Sequence, residues 1–405
     1  MDASDTGAQP TQTRRSRRAP GAGPRLVDVD VVVIGAGQAG LSAGHHLRRA
    51  GFVAVGAAGW EHAGRTFVVL DENPRPGGAW QHRWPALTMG AAHRVHDLPG
   101  MTLPASGEGE PAAEVVPHYF AQYEEAFELA VQRPVRAERV SDDGAGRLLV
   151  ETRHVQRPDV AVVWRARGLV NASGTWTKPF WPAYPGQTEF RGRQLHTHDF
   201  RTARELADGP VVVVGGGTSA VQILLLLAEV TSTTWVTRRP PEWVDAEFTP
   251  EYGHHAVAKV AERTAAGLPP ASVVSVTGIP LTEAYRAGIA SGVLRARPMF
   301  ERIVPDGVVF APGPAPDGWT DGPEHVPART LLWATGFRAA LDHLAPLRLR
   351  RSGGGIVMEG TRVASDPRVQ LVGYGPSAST IGANRAGREA VRNLLRLLGV
   401  NDEAG

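Results

Sequence analysis

Two glycine-rich turns, each placed directly after a run of apolar residues, constrain the fold of this chain more than any other feature. The first, GAGQAG, follows an apolar run that ends at Ile34, and the second, GGGTSA, follows the run VVVV at 211–214. A segment with helical periodicity follows each turn. This order of strand, turn and helix is typical of a site for a dinucleotide pyrophosphate. The repeat predicts an α/β fold with two Rossmann-like dinucleotide-binding domains.

The first turn predicts a separate role for each of its glycines. Gly35 permits the tight turn, Gly37 lets the backbone approach the pyrophosphate, and Gly40 lets the helix pack on the sheet. With the residues between them, the predicted cofactor contacts of this turn are Gly35, Gly37, Gln38, Ala39 and Gly40.

An acid at the end of the next strand is expected to accept the ribose hydroxyls of the first dinucleotide. Glu61 has the usual spacing of about 20 residues, but its neighbours AAGW and HAG do not form a strand pattern. The run FVVL at 67–70 instead places Asp71 at a strand end. We therefore assign the role to Asp71 and treat 53–65 as an insertion. A simple turn-forming aspartate is the alternative.

The second unit ends in basic residues where the first ends in an acid. Its strand TTWVT is followed by Arg238 and Arg239. Arginines at this position suit a 2′-phosphate and therefore favour NADPH over NADH, with an exposed, solvated pair as the alternative. The predicted contacts of the second turn are Gly215, Gly217, Thr218 and Ser219.

Composition excludes several classes of protein. The 405 residues include no cysteine, so disulfides, thiolate metal sites and a redox-active cysteine pair are excluded, and redox chemistry must belong to a bound cofactor. No metal site is predicted, because His82, His93 and His96 lack a convincing set of partners. The net charge is +2, and no apolar run approaches the roughly 20 residues of a membrane helix. Neither a nucleic-acid partner nor a membrane span is predicted.

The N-terminal 25 residues are polar and rich in proline, glycine and arginine, which predicts a disordered tail over 1–25. Arginine pairs such as Arg14 and Arg15 are found in export signals, but the apolar residues that follow them belong to the first strand. The expected location is therefore the cytoplasm. The oligomeric state is not predicted.

Three further segments complete a recognisable set of motifs. PGGAW occupies 76–80, FRGRQLHTHDF at 190–200 fits the pattern FxGxxxHxxxF, and LLWATGF occupies 331–337. With the two turns they resemble, over 27–398, the class B flavoprotein monooxygenases. That family includes flavin-containing N- and S-oxygenating enzymes, YUCCA-type enzymes and Baeyer–Villiger monooxygenases. Phe200 favours the first two groups, because Baeyer–Villiger enzymes usually carry tryptophan there.

The resemblance implies an architecture and further contacts. An NADPH domain at 176–330 would interrupt an FAD domain made of 26–175 and 331–405. Many flavoproteins with two dinucleotide sites carry Gly-Asp for the ribityl chain, whereas Tyr374 follows Gly373 here. The implied cofactor contacts are Gly78, Trp80, Val135, Thr335, Gly336 and Thr380, and an ordinary core valine is an equal alternative for Val135.

The resemblance also implies the chemistry. NADPH would reduce FAD, the reduced flavin would form a C4a-(hydro)peroxyflavin with oxygen, and one oxygen atom would pass to a small organic substrate. His196 is the implied catalytic residue, with a positional role near the nicotinamide. His198, two residues further on, is expected on the opposite face if the segment is extended. Many relatives have an asparagine soon after Gly-Gly-x-Trp, and 81–100 has none, so His93 or Arg94 would replace it.

Two other functions stay open at this stage. An NADPH-dependent oxidase or reductase without oxygen insertion is the main alternative, and a non-catalytic flavoprotein is the third. Aromatic side chains are expected to line a water-free pocket, with core packing as the alternative for each: Trp80, Trp84, Trp176, Phe180 and Trp181.

Overall fold

The computed structural model describes residues 24–92, 95–245, 258, 260–270 and 278–400, without the side chains of 380 and 381. The first strands in chain order are β1 (Arg25–Ile34), β2 (Val53–Ala54), β3 (Thr66–Leu70), β4 (Val135–Asp142), β5 (Leu148–His154), β6 (Arg157–Asn171), β7 (Arg193–His196), β8 (Val211–Val214) and β9 (Thr233–Val236). They are followed by β10 (Trp243–Val244), β11 (Ile279–Pro280), β12 (Ala296–Arg297), β13 (Arg302–Val304), β14 (Gly307–Val309), β15 (His325–Pro327), β16 (Thr330–Trp333), β17 (Met358–Glu359), β18 (Arg362–Val363) and β19 (Asp366–Leu371). The helices are α1 (Gln38–Arg49), α2 (Ala112–Ala126), α3 (Thr218–Ala228), α4 (Glu283–Ala290) and α5 (Thr380–Leu398), and residues 260–265 are also helical.

The first sheet has the order β17-β18-β19-β6-β1-β3-β2, with β4 and β5 attached beside β6. Its centre is parallel, since β1 pairs in parallel with β3 and β6, and β6 with β19. Both faces of β1 are covered, which explains the continuous apolar run that ends at Ile34. The strand begins at Arg25, and its continuous run of buried positions starts at Val31.

The segment 53–65, predicted to be an insertion, begins with a short edge strand. Val53 and Ala54 form β2, which pairs in parallel with Thr66 and Phe67 of β3. The chain therefore returns to the sheet directly after α1 and then leaves it before reaching Asp71. This longer route explains why the acid follows the turn by more than the usual spacing.

The second sheet has the order β12-β9-β8-β16-β7, and every pairing in it is parallel. Helix α3 packs against one face through Val221, Ile223 and Leu224. Phe300 and Phe310, around the small antiparallel sheet β13–β15, cover the other face. Residues 193–333 supply this sheet, and they lie in sequence between strands β6 and β17 of the first.

This arrangement confirms the predicted α/β fold with two Rossmann-like domains, the second inserted in the first. Strand β16 at 330–333 pairs in the second sheet, and the exact domain boundaries stay a prediction. No helix in the described part of the chain is long and apolar enough to cross a membrane.

Candidate functional site

The first glycine turn is held against the end of β6 by close backbone contacts. Gly35 has a φ of +98°, and a Cβ atom there would lie 2.4 Å from the carbonyl oxygen of Ala172. A Cβ atom on Gly40 would lie 1.8 Å from the carbonyl oxygen of Gly35. Any side chain at either position would force the backbone apart. Gly37 differs, because a Cβ atom there would meet no other atom within 4 Å.

Gly37 lies at the N-terminus of α1, and no side chain caps that terminus. Gly37 and Gly217 are the N-cap residues of α1 and α3; neither helix has a side-chain cap or an acid in its first turn. A Cβ atom on Gly217 would also meet nothing within 4 Å. By contrast, hydroxyls of Thr282 and Ser379 accept backbone N–H groups at the starts of α4 and α5. The two glycine turns therefore leave backbone donors free for an anion, and they fit a dinucleotide pyrophosphate.

Asp71 lies at the end of β3 in a buried charged cluster. Its side chain is 4% exposed, and its Oδ2 lies 3.1 Å from Nε of Arg133. Arg133 also makes two bonds of 2.5 and 2.6 Å to the carboxylate of Glu124. Burial raises the pKa of Asp71, and Arg133 offsets part of that effect. The guanidinium thus holds the Asp71 carboxylate in place at the strand end.

Gly78 and Trp80, two predicted contacts of the first dinucleotide, lie beside the first glycine turn. A Cβ atom on Gly78 would lie 2.9 Å from Cα of Gly37, so the Gly-Gly-x-Trp segment lies over the turn. Trp80 follows in a short 3-10 helix over Gly78–His82. Val135 begins β4, and its N–H donates to the carbonyl oxygen of Asp71 at 2.8 Å. The fold therefore brings the predicted turn, Asp71 and Val135 to one edge of the first sheet.

The second turn has basic side chains beside it. Gly215 N–H donates to the carbonyl oxygen of Val236, so the end of β9 lies next to the turn. Arg238 and Arg239 follow directly, both exposed, and neither has an ion-pair partner among the described residues. A Cβ atom on Gly216 would lie 3.8 Å from Thr237.

Arg297 is a third arginine at this edge, which the sequence analysis missed. Its carbonyl oxygen accepts the N–H of Thr237 at 3.0 Å. The side chain is 9% exposed, with Cζ 3.6 Å from the ring centroid of Phe310. Nε and Nη1 have no hydrogen-bond partner in the described part of the chain. The guanidinium therefore has free donors on β12, the strand next to the one that leads to the exposed arginine pair, and such donors fit an anionic ligand. A strand within the sequence RARP would have placed Arg297 at this edge, but the strand has only two residues and leaves no pattern in the sequence.

The two segments that connect the sheets run side by side in opposite directions. Phe180 N–H donates to the carbonyl oxygen of Gly336 at 2.9 Å, and Arg338 N–H to that of Lys178 at 2.8 Å. The hydroxyl of Thr335 donates to the carbonyl oxygen of Phe180 at 2.5 Å. Thr335 and Gly336, predicted cofactor contacts, therefore also join the outgoing connection to the returning one.

His196 lies at the end of β7 and is fully buried. Its Nδ1 accepts the N–H of His198 at 3.0 Å, and its Nε2 lies 3.0 Å from the carbonyl oxygen of Gly336. These partners assign the proton of the neutral ring to Nε2, which donates to Gly336. Burial lowers the pKa of His196 to about 4.

The expectation that His198 points to the face opposite His196 is wrong, because residues two positions apart in an extended segment lie on the same face. The chain turns at this position, where Asp199 N–H donates to the carbonyl oxygen of His196. The segment also leaves the extended conformation directly after β7. Both histidine rings face Phe337, with centroid distances of 5.0 and 6.5 Å.

Trp176 is the centre of an aromatic cluster between the two sheets. Its ring stacks on His82 with centroids 5.7 Å apart and on Phe337 at 5.1 Å. The Arg83 guanidinium lies 5.0 Å from the same ring. Trp84, in contrast, is 3% exposed and packs on Phe200 within the core of the second domain. Of the expected pocket residues, Trp176 therefore faces the junction of the two sheets, and Trp84 is a core residue.

Three predicted site residues lie wholly or partly outside the described part of the chain. His93 and Arg94, the suggested replacements for the asparagine, lie outside the described residues. Thr380 begins α5, and its side chain also lies outside the described part. Their predicted roles stay predictions.

The chain is similar to known flavoproteins over most of its length. The profile of the family described as pyridine nucleotide-disulphide oxidoreductase matches residues 32–260, more than half of the chain. A solved flavin-containing monooxygenase from Stenotrophomonas maltophilia is 35% identical, with a TM-score of 0.71 over 92% of this chain and 99% of that one.

Matches to curated proteins cover about half of the chain, as two examples show. The uncharacterized oxidoreductase CzcO of Bacillus velezensis is 29% identical over 201 residues, which are 49% of this chain and 52% of that protein. Indole-3-pyruvate monooxygenase YUCCA1 of Oryza sativa subsp. japonica is 28% identical over 221 residues, 54% of this chain and 47% of that one. The chain thus spans about half the length of these curated relatives.

Proposed function

This chain belongs to the class B flavoprotein monooxygenases, within the pyridine nucleotide-disulphide oxidoreductase family, and on that premise we propose that it is an FAD-containing, NADPH-dependent monooxygenase of a small organic substrate. One observation carries the proposal. Two helices, one beside each sheet, begin at open glycines without a cap; an acid lies near one and arginines near the other. The absence of cysteine excludes the dithiol chemistry in the name of the family.

In this proposal the first turn holds FAD. The backbone of Gly37 and the N-terminus of α1 receive the pyrophosphate, and Asp71 accepts the ribose hydroxyls. Gly78 and Trp80 lie over the turn, on the side toward the second domain. When bound, FAD would accept hydride from NADPH and activate molecular oxygen, as the family resemblance implies.

The second turn holds NADPH in the same proposal. Gly217 leaves room for the pyrophosphate at the start of α3, with Thr218 and Ser219 in the first helical turn. The 2′-phosphate carries about two negative charges, and it is received by the arginines at the strand ends, Arg238, Arg239 and Arg297.

His196 is proposed as a positioning residue between the two cofactors. A histidine with a pKa of about 4 stays neutral near pH 7, so it does not serve as a general acid there. Its hydrogen bond to Gly336 fixes the returning connection against β7. The rings of Trp176 and Phe337 next to it exclude water from the junction, where water would divert the activated oxygen to peroxide.

Molecular oxygen and a small organic compound are the proposed reaction partners, and the cytoplasm is the proposed location. The proposed FAD domain comprises 26–175 and 331–405, and the NADPH domain 176–330. The alternative is an NADPH oxidase or reductase, which the missing asparagine in 81–100 favours.

Rapid mixing separates these functions. The purified protein is reduced with NADPH without oxygen and then mixed with oxygenated buffer, while the flavin spectrum is followed without substrate. We expect a long-lived oxygenated-flavin spectrum before the oxidised spectrum returns. Direct return with stoichiometric peroxide would establish the oxidase instead. A flavin that NADPH does not bleach would contradict both.

A further inference from the structure

Gln38, the first residue of α1, has a buried carboxamide with one unused atom. The residue is 9% exposed. Its Nε2 donates to Oδ1 of Asn384 at 3.0 Å and to the carbonyl oxygen of His96 at 3.2 Å. Its Oε1 is buried and has no hydrogen-bond partner among the described residues. A buried acceptor without a donor is costly, which makes this oxygen a candidate contact for a ligand.

The orientation of the carboxamide is fixed by backbone carbonyls. Asn384 Nδ2 donates to the carbonyl oxygen of Asp97 at 2.5 Å, so Oδ1 of Asn384 must face Gln38. Gln38 then has two acceptors, Asn384 Oδ1 and the His96 carbonyl, on one side, and only its NH2 group satisfies both. A flipped carboxamide would place three oxygens together. Oε1 therefore points away from Asn384.

The place where many relatives carry a ribityl-binding acid lies directly beside this residue. A Cβ atom on Gly373 would lie 3.8 Å from Cβ of Ala39, the neighbour of Gln38. Tyr374 occupies the position of the expected acid, but its side chain lies in the core on the face of the sheet opposite α1. Its hydroxyl bonds to the backbone at Ile356. Tyr374 therefore cannot supply the missing acceptor.

The chemistry of FAD limits what can reach Gln38 Oε1. A pyrophosphate bound at Gly37 would offer no donor, and the adenosine hydroxyls would lie toward Asp71 on the other side of it. The ribityl hydroxyls are the first donors on the flavin side of the pyrophosphate. We propose that Gln38 Oε1 accepts a hydrogen bond from a ribityl hydroxyl of FAD, with Asn384 as the residue that positions it. This inference rests on the proposed binding of FAD at the first turn.

The test measures FAD affinity and needs no catalysis. Apo-protein is titrated with FAD and with FAD analogues that each lack one ribityl hydroxyl, for the wild type and for Gln38→Leu. The matched control is Gln222→Leu, a glutamine in α3 of the second domain, whose Nε2 donates to the carbonyl oxygen of Ala91. Thermal unfolding of each apo-protein shows that the fold is retained.

We expect Gln38→Leu to raise the Kd for FAD about five- to tenfold, the effect of one hydrogen bond. One deoxy analogue should bind the wild type about five- to tenfold more weakly than FAD does. Gln38→Leu should bind that analogue and FAD with the same Kd. Asn384→Leu should reduce the discrimination against that analogue, and Gln222→Leu should not change it. The inference would be overturned if Gln38→Leu bound FAD with the wild-type Kd. It would also be overturned if Gln38→Leu weakened the binding of FAD and of every analogue by the same factor. Failure of the wild type to bind FAD would instead contradict the proposed function.

Discussion

Nε2 of His196 lies 3.0 Å from the carbonyl oxygen of Gly336, although the two residues are 140 positions apart in the chain. The bond joins the end of β7 to the segment that leaves the second sheet. The same carbonyl accepts Phe180 N–H from the segment that enters it. The histidine of the fingerprint motif therefore holds both connections between the domains at one point. A rotation of one domain against the other must break this bond or carry all three segments together.

Acid should weaken the fold through histidines whose pKa is lowered in the folded chain. Burial lowers the pKa of His46, His196 and His343 to about 4, whereas the ordinary histidine value is about 6.5. The unfolded chain then binds more protons than the folded one between these values. Each histidine therefore lowers the free energy of unfolding as the pH falls from about 6.5 to 4, with no further effect below 4.

Urea unfolding at a series of pH values measures this effect. His343→Gln removes one titrating group, and the new amide can still donate to Oδ1 of Asn171, the 2.6 Å partner of His343 Nε2. We expect the slope of unfolding free energy against pH in this window to fall by up to one proton. Equal slopes for the variant and the wild type would show that His343 is not neutral in the folded protein.

Alanine substitutions should separate folding from cofactor binding at the first turn. A Cβ atom on Gly37 meets no protein atom within 4 Å but would occupy the space proposed for the pyrophosphate. Gly37→Ala should therefore leave apo-protein stability nearly unchanged and weaken FAD binding at least tenfold, measured by titration of apo-protein. Gly40→Ala places its Cβ 1.8 Å from the Gly35 oxygen and should instead destabilise the fold.

The second turn supplies the control for that pair. Gly217→Ala should weaken NADPH binding and leave the Kd for FAD at the wild-type value. Loss of FAD in Gly217→Ala, or full FAD affinity in Gly37→Ala, would contradict the assignment of one dinucleotide to each turn.

Arg133 should matter more to stability than its neighbour Arg136. Arg133→Met leaves two carboxylates, Asp71 and Glu124, buried without their shared cation, which costs about 3–5 kcal/mol. Arg136 pairs with Glu72 at an exposed site, and Arg136→Met should cost less than about 1 kcal/mol. Denaturant unfolding of the apo-proteins measures both. Equal effects of the two substitutions would show that the buried cluster does not stabilise the fold.

The sequence predicted the features that are local in the chain. Each glycine turn lies next to its own strand and helix, so its conformation is encoded within about fifteen residues. The α/β fold, the inserted second domain and the family are confirmed on that basis. Asp71 could be chosen over Glu61 because β3 is a recognisable apolar run.

The features that the sequence did not predict depend on contacts between distant segments. Arg133 reaches Asp71 across 62 positions, and Asn384 reaches Gln38 across 346. No periodicity marks such pairs, and a side chain such as Arg297, in a strand of two residues, looks like any exposed arginine. His198 was expected on the wrong face because strand alternation places residues two positions apart on the same face, and the chain also turns directly after β7.

Coenzyme choice provides a direct test of the second turn. Arg238→Ala should raise the KM for NADPH about tenfold or more, since a charged hydrogen bond contributes about 1.5–3 kcal/mol, and should leave the KM for NADH nearly unchanged. Arg297→Met keeps the apolar stem beside Phe310 and should cause a similar selective loss.

Arg204→Ala removes an exposed arginine of the same domain outside the proposed site and should change neither constant. The readout is the ratio of kcat/KM for the two coenzymes, which a general loss of folded protein does not alter. If Arg238→Ala and Arg297→Met weaken NADPH and NADH equally, these arginines do not bind a 2′-phosphate, and the proposed NADPH site is wrong in this respect.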